Sequence, residues 1–257
     1  MTSLLLEGTL AGFRMMSHYS RYSVQGLSNL LDGESGMLVG YHGRPFTLDY
    51  YYLSARMHAE QGRYPRAVVL RSVKNVPVLR RLVTDARMFY GPPDEAAIAE
   101  LRGRREHVYV CPGGLHEALR PAWRGRYRVD WSGRHGYLRL AVRHGLPIYP
   151  SAALGVDEAY IGLNDGYALG RRLGVPGAPL WLGVGALGLW PFALPWPTKI
   201  THRIGTAIDL KPLRAEIDDD QTFYRAADWL VRSQVQALLN DLKNDARPTK
   251  ERRGIEQ

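Results

Sequence analysis

The chain has 257 residues and a mass of 29.0 kDa, which fits one large domain or at most two modest ones. With 45% hydrophobic and 23% charged residues its composition is globular, which excludes disordered, collagen-like and coiled-coil readings. The charge is basic, 34 Lys and Arg against 25 Asp and Glu for a formal net +9, so the expected partners are anionic: nucleic acid, an acidic membrane surface or a phosphate-bearing substrate.

In chain order, residues 1–10 carry a short apolar run (Leu4 to Leu6) without a basic leader, so no secretory signal is expected. Residues 37–41 (MLVGY) predict a strand that runs into HGRPF. Thr47 is placed as the N-cap of a helix through about Gln61, closed by Gly62. Residues 67–71 (AVVLR) predict a second strand. Residues 77–88 predict an amphipathic helix, with Val78, Leu79, Leu82 and Val83 on one side and Arg80, Arg81 and Arg87 on the other. A further helix is predicted over 93–104, where Asp94 and Glu95 open the first turn and arginines close the last.

Residues 107–111 (HVYVC) predict a third strand, followed at once by PGGLHEALR. Residues 134–143 predict a helix, 146–151 a fourth strand and 199–208 a fifth. Residues 220–243 close the pattern as a long helix, with Phe223, Ala227, Leu230, Val231, Val235, Leu238 and Leu239 at helical spacing. Strands separated by helices predict an α/β fold, a central mixed sheet flanked by helices. A single domain is expected over residues 1–243, with 244–257 a charged flexible tail.

The single cysteine, Cys111, excludes an internal disulfide framework and fits a reducing compartment. The 15 Tyr and 6 Trp beside only 5 Phe suit boundaries between apolar and wet surroundings. Residues 178–196 (APLWLGVGALGLWPFALPW) are the most apolar stretch, but their prolines and glycines argue against a straight spanning helix. This stretch holds a GxGxxG at 183–188, with Asp209 about twenty residues on. A dinucleotide fingerprint needs a helix to begin at those glycines, and Pro191, Pro195 and Pro197 forbid it. The expected structure is an apolar loop facing a membrane, anchored by Trp181, Trp190 and Trp196; ordinary loop packing is the alternative.

In α/β sheets, chemistry gathers where loops leave the carboxyl ends of strands. His42 directly follows the first strand, beside Gly43, and Asp49 lies seven positions on. A strand-end His oriented by a carboxylate is a common general base. The competing reading is a structural His with Asp49 as a helix-start residue. In the second loop, Gly113 and Gly114 can bend the backbone around an anion, and Glu117 and Arg120 share a face if a helix starts there. A tight turn with a surface ion pair is the alternative. Cys111 beside this turn is read as a small strand-end residue rather than a thiol nucleophile. GxSxG, P-loop, HExxH and paired CxxC motifs are missing from the sequence.

Four blocks follow one another: YHGRPFTLD, VYVCPGGLHEALR, RHGYLRLAVRHGLPIYPSAALGVDEAY and LPWPTKITHRIGTAIDL. Over about residues 37–210 the series resembles the lysophospholipid and glycerolipid acyltransferase superfamily, most of all its diacylglycerol acyltransferase type 2 branch. The resemblance implies that His42 deprotonates an acceptor hydroxyl for attack on an acyl thioester, with Asp49 as its orienting partner. The superfamily spacing places four residues between this His and Asp, whereas six intervene here, so a backbone carbonyl or a water is the alternative partner. It also implies substrate-site roles for Gly43, Arg44, Gly113, Gly114, Glu117 and Arg120, and a pocket-shaping role for the block from Ser151 to Tyr160 that includes Asp157 and Glu158.

The same resemblance implies no metal and no cofactor, with acyl-CoA or an acyl-carrier protein as co-substrate. The expected function is acyl transfer to a hydroxyl of a glycerolipid or long-chain alcohol, with a lysophospholipid as the alternative acceptor. The implied partners are a lipid acceptor and an anionic membrane surface, not nucleic acid, and the implied place is the cytoplasmic face of a membrane, peripheral or monotopic. A non-catalytic basic lipid-binding module, using arginine clusters at 102–105 and 124–128, is the alternative from another class.

Overall fold

The structure is a computed structural model describing all residues except 1–3, 45, 46, 76, 174–176, 191 and 248–257, and not the side chains of 78, 79 and 173. The chain opens with α1 (Leu4–Tyr19), β1 (Ser23–Gln25), α2 (Ser28–Leu31), β2 (Met37–Gly40), α3 (Leu48–Gln61) and β3 (Arg66–Val69). It continues through α4 (Pro77–Asp85), β4 (Phe89–Tyr90), α5 (Glu95–Gly103), β5 (Val108–Val110), α6 (Gly114–Ala118) and α7 (Gly136–His144). The last elements are β6 (Ile148–Leu154), β7 (Ile161–Gly162), α8 (Tyr167–Leu173), β8 (Trp181–Leu182), β9 (Thr201–Ile204), α9 (Lys211–Glu216) and α10 (Asp220–Ala246).

Seven strands form one sheet in the order β1-β9-β6-β2-β5-β3-β4, and β7 pairs with β8 separately. Every pair in the large sheet is parallel except β6 with β9, so the sheet is mixed and flanked by helices as expected. The central strands are buried along their length, which is why they read as unbroken apolar runs rather than alternating ones. α10 packs on β6 and buries Phe223, Ala227, Val231, Val235 and Leu239 at the spacing of one helix face. At roughly 1.5–3 kcal/mol per large buried side chain, that face is a principal stabiliser of the sheet.

Local chemistry sets the element ends. Asp94 and Asp219 cap α5 and α10, accepting the N–H of Ala97 at 2.9 Å and of Thr222 at 2.7 Å. Gly62 and Gly145 close α3 and α7 with left-handed φ of 66° and 57°. Thr47 stands at the N-cap position of α3 but makes no side-chain cap bond. α4 stops at Asp85, short of the expected Met88, because Arg87 takes a φ of 53°. Val83 is buried, and the expected facing of Val78 and Leu79 lies outside the described side chains.

Two differences from the sequence reading matter for the site. α1 occupies a stretch with no predicted element; its inner residues Leu6 and Leu10 are buried, and Phe13 stacks on Tyr51 of α3 at 4.5 Å. α10 runs to Ala246, into the segment expected to be tail; residues 248–257 of that tail lie outside the described residues. His202 of β9 is buried between Ser151 Oγ at 2.6 Å and the Tyr22 hydroxyl at 2.9 Å, where burial lowers its pKa to about 3. Among the described residues no helix is long and apolar enough to cross a membrane.

Candidate active site

Strand register brings the two glycine-bearing loops together. β2 and β5 are neighbours with Val39 paired to Val110, so His42 and Gly113 each stand three residues past a paired position. On the other side of β2, Gly40 pairs with Ser151 of β6, which delivers the loop holding Asp157 to the same end. Three loops from three adjacent parallel strands therefore converge at one carboxyl edge.

Glu117 ties two of them. Its Oε2 accepts the backbone N–H of His42 at 3.0 Å, and its Oε1 accepts that of Asp130 at 2.8 Å. The carboxyl group is completely buried, and burial pushes its pKa up to about 7 against the two N–H donors and Arg120, which pull it down. The glycine pair has two separate purposes. A Cβ on Gly113 would stand 2.2 Å from the carboxyl carbon of Glu117, so only glycine lets that group fold back over the turn. Gly114 has a φ of 50°, a conformation that costs other residues about 1–2 kcal/mol.

His42 Nδ1 lies 2.8 Å from the carbonyl oxygen of Gly43. A carbonyl only accepts, so Nδ1 carries the proton and Nε2 holds the lone pair. Burial lowers the imidazole pKa to about 4, with the Arg120 charge acting the same way and the Gly43 carbonyl and Asp157 opposing it. The ring is therefore neutral and able to accept a proton at neutral pH. Gly43 is tightly packed: a Cβ there would meet the Val156 side chain at 2.7 Å.

No hydrogen bond joins His42 to Asp49, and the orienting contact expected from the resemblance is made by the Gly43 carbonyl instead. Asp49 sits on the first turn of α3, buried, with Oδ1 lacking any hydrogen-bond partner. Burial raises its pKa to about 7.

Arg44 and Arg120, expected at the substrate, are buried among backbone carbonyls and the Asp157 carboxylate. Arg44 is 0% exposed and donates to the carbonyls of Arg120 at 3.3 Å and Asp157 at 3.1 Å, with Nε 3.6 Å from the Asp157 carboxylate. Arg120 donates to the carbonyls of Glu117, Gly125 and Arg128, bonds the Tyr41 hydroxyl, and lies 3.8 Å from Asp157. Thus Arg120 meets the Glu117 main chain rather than pairing with its carboxylate. Tyr41 completes this knot, donating to Asp157 Oδ2 at 2.5 Å while accepting the N–H of Tyr127 at 2.9 Å. Asp157 is the counterion of two buried guanidiniums, which explains its place in the GVDEAY block. Tyr127 carried no sequence signal, and its φ of 54° is a tertiary consequence.

A groove of about 710 Å³ opens over this edge. It crosses the carboxyl ends of β2, β5, β3 and β4, with His42 over the first and Gly91 over the last. Its walls are mainly apolar, including Tyr51, Val69, Leu70, Val73, Met88 and Leu115. Its volume falls within the range of ligand sites. Arg71 and Arg134 line it and remain exposed. Arg134 also donates to the carbonyl oxygens of Pro112 and Gly113, at 3.3 and 2.7 Å, and pins the glycine turn. The sequence had shown it only as the first residue of a predicted helix.

Cys111 lines the groove, with Sγ 3.1 Å from the Tyr109 hydroxyl; burial pushes its thiol well up, opposite to what a nucleophile needs. Among the described residues no group of three or more His, Cys, Asp or Glu is arranged to hold a metal. Residues 183–188 form a turn closed by Gly183 N–H to Gly188 O at 2.9 Å, and no helix begins there for a pyrophosphate.

Comparison with known proteins agrees with the resemblance read from the motifs. The chain is 26% identical over 194 residues to a mouse protein described as "DGAT1/2-independent enzyme synthesizing storage lipids", covering 74% of this chain and 54% of the relative. Its human counterpart is 25% identical over 224 residues, 85% of this chain and 61% of the relative. An uncharacterised protein of Mycobacterium tuberculosis is 27% identical over the same length and shares. The chain thus spans little more than half the length of the curated relatives it matches. In structure it is similar to the 1-acyl-sn-glycerophosphate acyltransferase of Thermotoga maritima, with a TM-score of 0.57 at 12% identity over 95% of this chain and 81% of that one. No family model matches the chain. The likeness to the acyltransferase superfamily is carried by both relatives and fold.

Proposed function

We propose that the chain is an O-acyltransferase that moves a fatty acyl group from an acyl thioester, acyl-CoA or an acyl-carrier protein, to a hydroxyl of a glycerolipid or long-chain alcohol. The observation that carries this reading is a neutral histidine, its tautomer set by a backbone carbonyl, at one end of an apolar groove. Nε2 of His42 takes the proton of the acceptor hydroxyl as its oxygen attacks the thioester carbonyl. The tetrahedral intermediate collapses by breaking the C–S bond, and the imidazolium returns its proton to the departing thiolate. A low imidazole pKa favours that return.

Glu117 contributes by position, fixing the His42 backbone rather than touching substrate. Arg71 and Arg134 supply positive charge for the phosphates of the donor, a role that the buried Arg44 and Arg120 cannot fill. The apolar wall suits an acyl chain. Direct transfer between two bound partners needs little beyond a base and fixed geometry.

The test is incubation of the purified protein with radiolabelled acyl-CoA and a panel of acceptors: diacylglycerol, monoacylglycerol, a long-chain alcohol and 1-acylglycerol-3-phosphate. Labelled neutral lipid or wax ester is the expected product. Labelling of the phosphate-bearing acceptor alone moves the reading to a lysophospholipid acyltransferase. Labelling of none overturns it in favour of a binding module.

A further inference from the structure

The loop between α6 and α7 leaves the groove wall and returns to it. Ala118 at the end of α6 and Arg134 ahead of α7 both line the groove, and between them the chain runs out toward solvent. On this excursion the side chains of Trp123, Arg124, Arg126 and Arg128 are all exposed, Trp123 at 73%. None of the four is among the described residues that line the groove.

Although these side chains face water, the backbone that carries them is fixed from several sides. The Arg120 guanidinium donates to the carbonyls of Gly125 at 2.8 Å and Arg128 at 3.0 Å. Gln236 of α10 accepts the Val129 N–H at 3.0 Å and donates to the Tyr127 carbonyl at 3.1 Å. The Ala122 N–H reaches the Gly162 carbonyl at 2.8 Å. Tyr127 is held at a φ of 54°, a conformation that a bulky residue keeps only where its surroundings enforce it. A surface that is fixed before contact loses little conformational freedom on binding.

Composition and position select the occupant. A single large aromatic among arginines is the make-up of a protein–protein contact, where Trp and Arg carry much of the binding energy. Entry into a bilayer needs a broad apolar face, whereas Trp123 is the one exposed large apolar side chain of residues 121–130. Free CoA would be met by the groove's own Arg71 and Arg134, but the four loop side chains reach only a ligand that extends outside the groove. Arginines on a chain of net +9 call for an acidic partner. Since both ends of the loop are groove wall, that partner stands where it can deliver an acyl thioester.

We infer that Trp123, Arg124 and Arg128 form a docking surface for an acidic acyl-carrier protein, whose phosphopantetheine arm enters the groove toward His42. Trp123 is the anchor, and Arg124 and Arg128 meet carboxylates of the carrier. Arg126 lies 3.3 Å from Glu158 and borders the contact. The inference rests on the acyl-transfer reading and deepens it by choosing a carrier-protein donor over free CoA. Carrier binding is measured without turnover, so the two can fail separately.

The experiment measures binding of a fluorescently labelled bacterial holo-acyl-carrier protein by anisotropy, and acyl transfer from radiolabelled palmitoyl-carrier protein and palmitoyl-CoA. It compares wild type with the triple variant Trp123→Ser, Arg124→Glu, Arg128→Glu. Circular dichroism checks that the variant is folded, and Arg124→Glu alone replaces it if it is not. Wild type is expected to bind the carrier in a salt-sensitive manner, and the triple variant about tenfold more weakly or worse. The KM for palmitoyl-carrier protein is expected to rise about tenfold in the variant, with the KM for palmitoyl-CoA unchanged. Equal carrier binding by the two proteins overturns the inference, as does failure of wild type to bind. An equal rise in the KM for palmitoyl-CoA would assign the loop to CoA phosphates and overturn it too. Carrier binding that the variant loses, without transfer from either donor, would support the docking surface and overturn the acyl-transfer reading alone.

Discussion

The Glu117 carboxylate accepts the backbone N–H of His42, joining the loop after β2 to the helix after β5. Removing the carboxylate leaves the N–H groups of His42 and Asp130, whose bonds to it are partly buried, without their partner, at up to about 1–3 kcal/mol each. Glu117→Ala is expected to lower stability by about 2–5 kcal/mol in urea unfolding and to reduce kcat more than it raises KM. Gly113→Ala is expected to act similarly by displacing the carboxyl group, and Gly114→Ala to cost about 1–2 kcal/mol through its positive φ. Full activity and stability in Gly113→Ala would show that the carboxylate does not fold over the turn.

Asp49→Asn separates the structure from the resemblance. With no bond to His42, the substitution is expected to leave acyl transfer within a few-fold of wild type. Burial raises the Asp49 pKa to about 7, above its unfolded value near 3.8. Its contribution to stability is therefore complete below the unfolded value and lost as pH rises through 7. The amide does not ionise, so the stability of Asp49→Asn relative to wild type should rise between about pH 4 and about pH 7 and level off above that. A constant difference across that range, or a collapse of activity, contradicts this placement.

Arg44 and Asp157 form a buried pair below the groove. Breaking it from one side leaves an uncompensated charge, at about 3–5 kcal/mol. Asp157→Asn is expected to fall in thermal stability while the folded fraction keeps its donor KM. A raised donor KM in Arg44→Lys with unchanged stability would return Arg44 to the substrate.

The pKa of His42, lowered by burial to about 4, sets the acid limb of activity. The neutral base persists well below the ordinary histidine range, so kcat/KM should hold between about pH 7 and about pH 5.5 and decline only nearer 4. Activity halved near pH 6.5 would indicate an imidazole in an aqueous setting.

Much of the fold was legible because buried central strands and the α10 face leave strong one-dimensional signals. The runs MLVGY and HVYVC, and the spacing of Phe223, Ala227, Val231 and Val235, survive in the structure almost unchanged. α1 was missed because its outer stripe is apolar too, which blurs the period that marks an ordinary surface helix. At the site, His42, Gly113, Gly114 and Glu117 were legible as strand-end chemistry. The burial of Arg44 and Arg120 was not, since an arginine on a loop looks the same whether it meets solvent or a buried Asp157. Asp49 came from the strand-end spacing and the likeness together, and the hydrogen bond to His42 Nδ1 is made by the Gly43 carbonyl, the alternative that the six-residue gap had left open. Arg134 holds the turn from a distant segment, a long-range contact without a local pattern.

The central claim is that His42 is the base of an acyl transfer. It is tested most directly by comparing wild type with His42→Ala, at equal folded concentration, for labelled acyl transfer to the acceptor that wild type prefers. A loss of about 10²–10⁴-fold with unchanged thermal unfolding is predicted. Equal rates of acylation in the two proteins would contradict it.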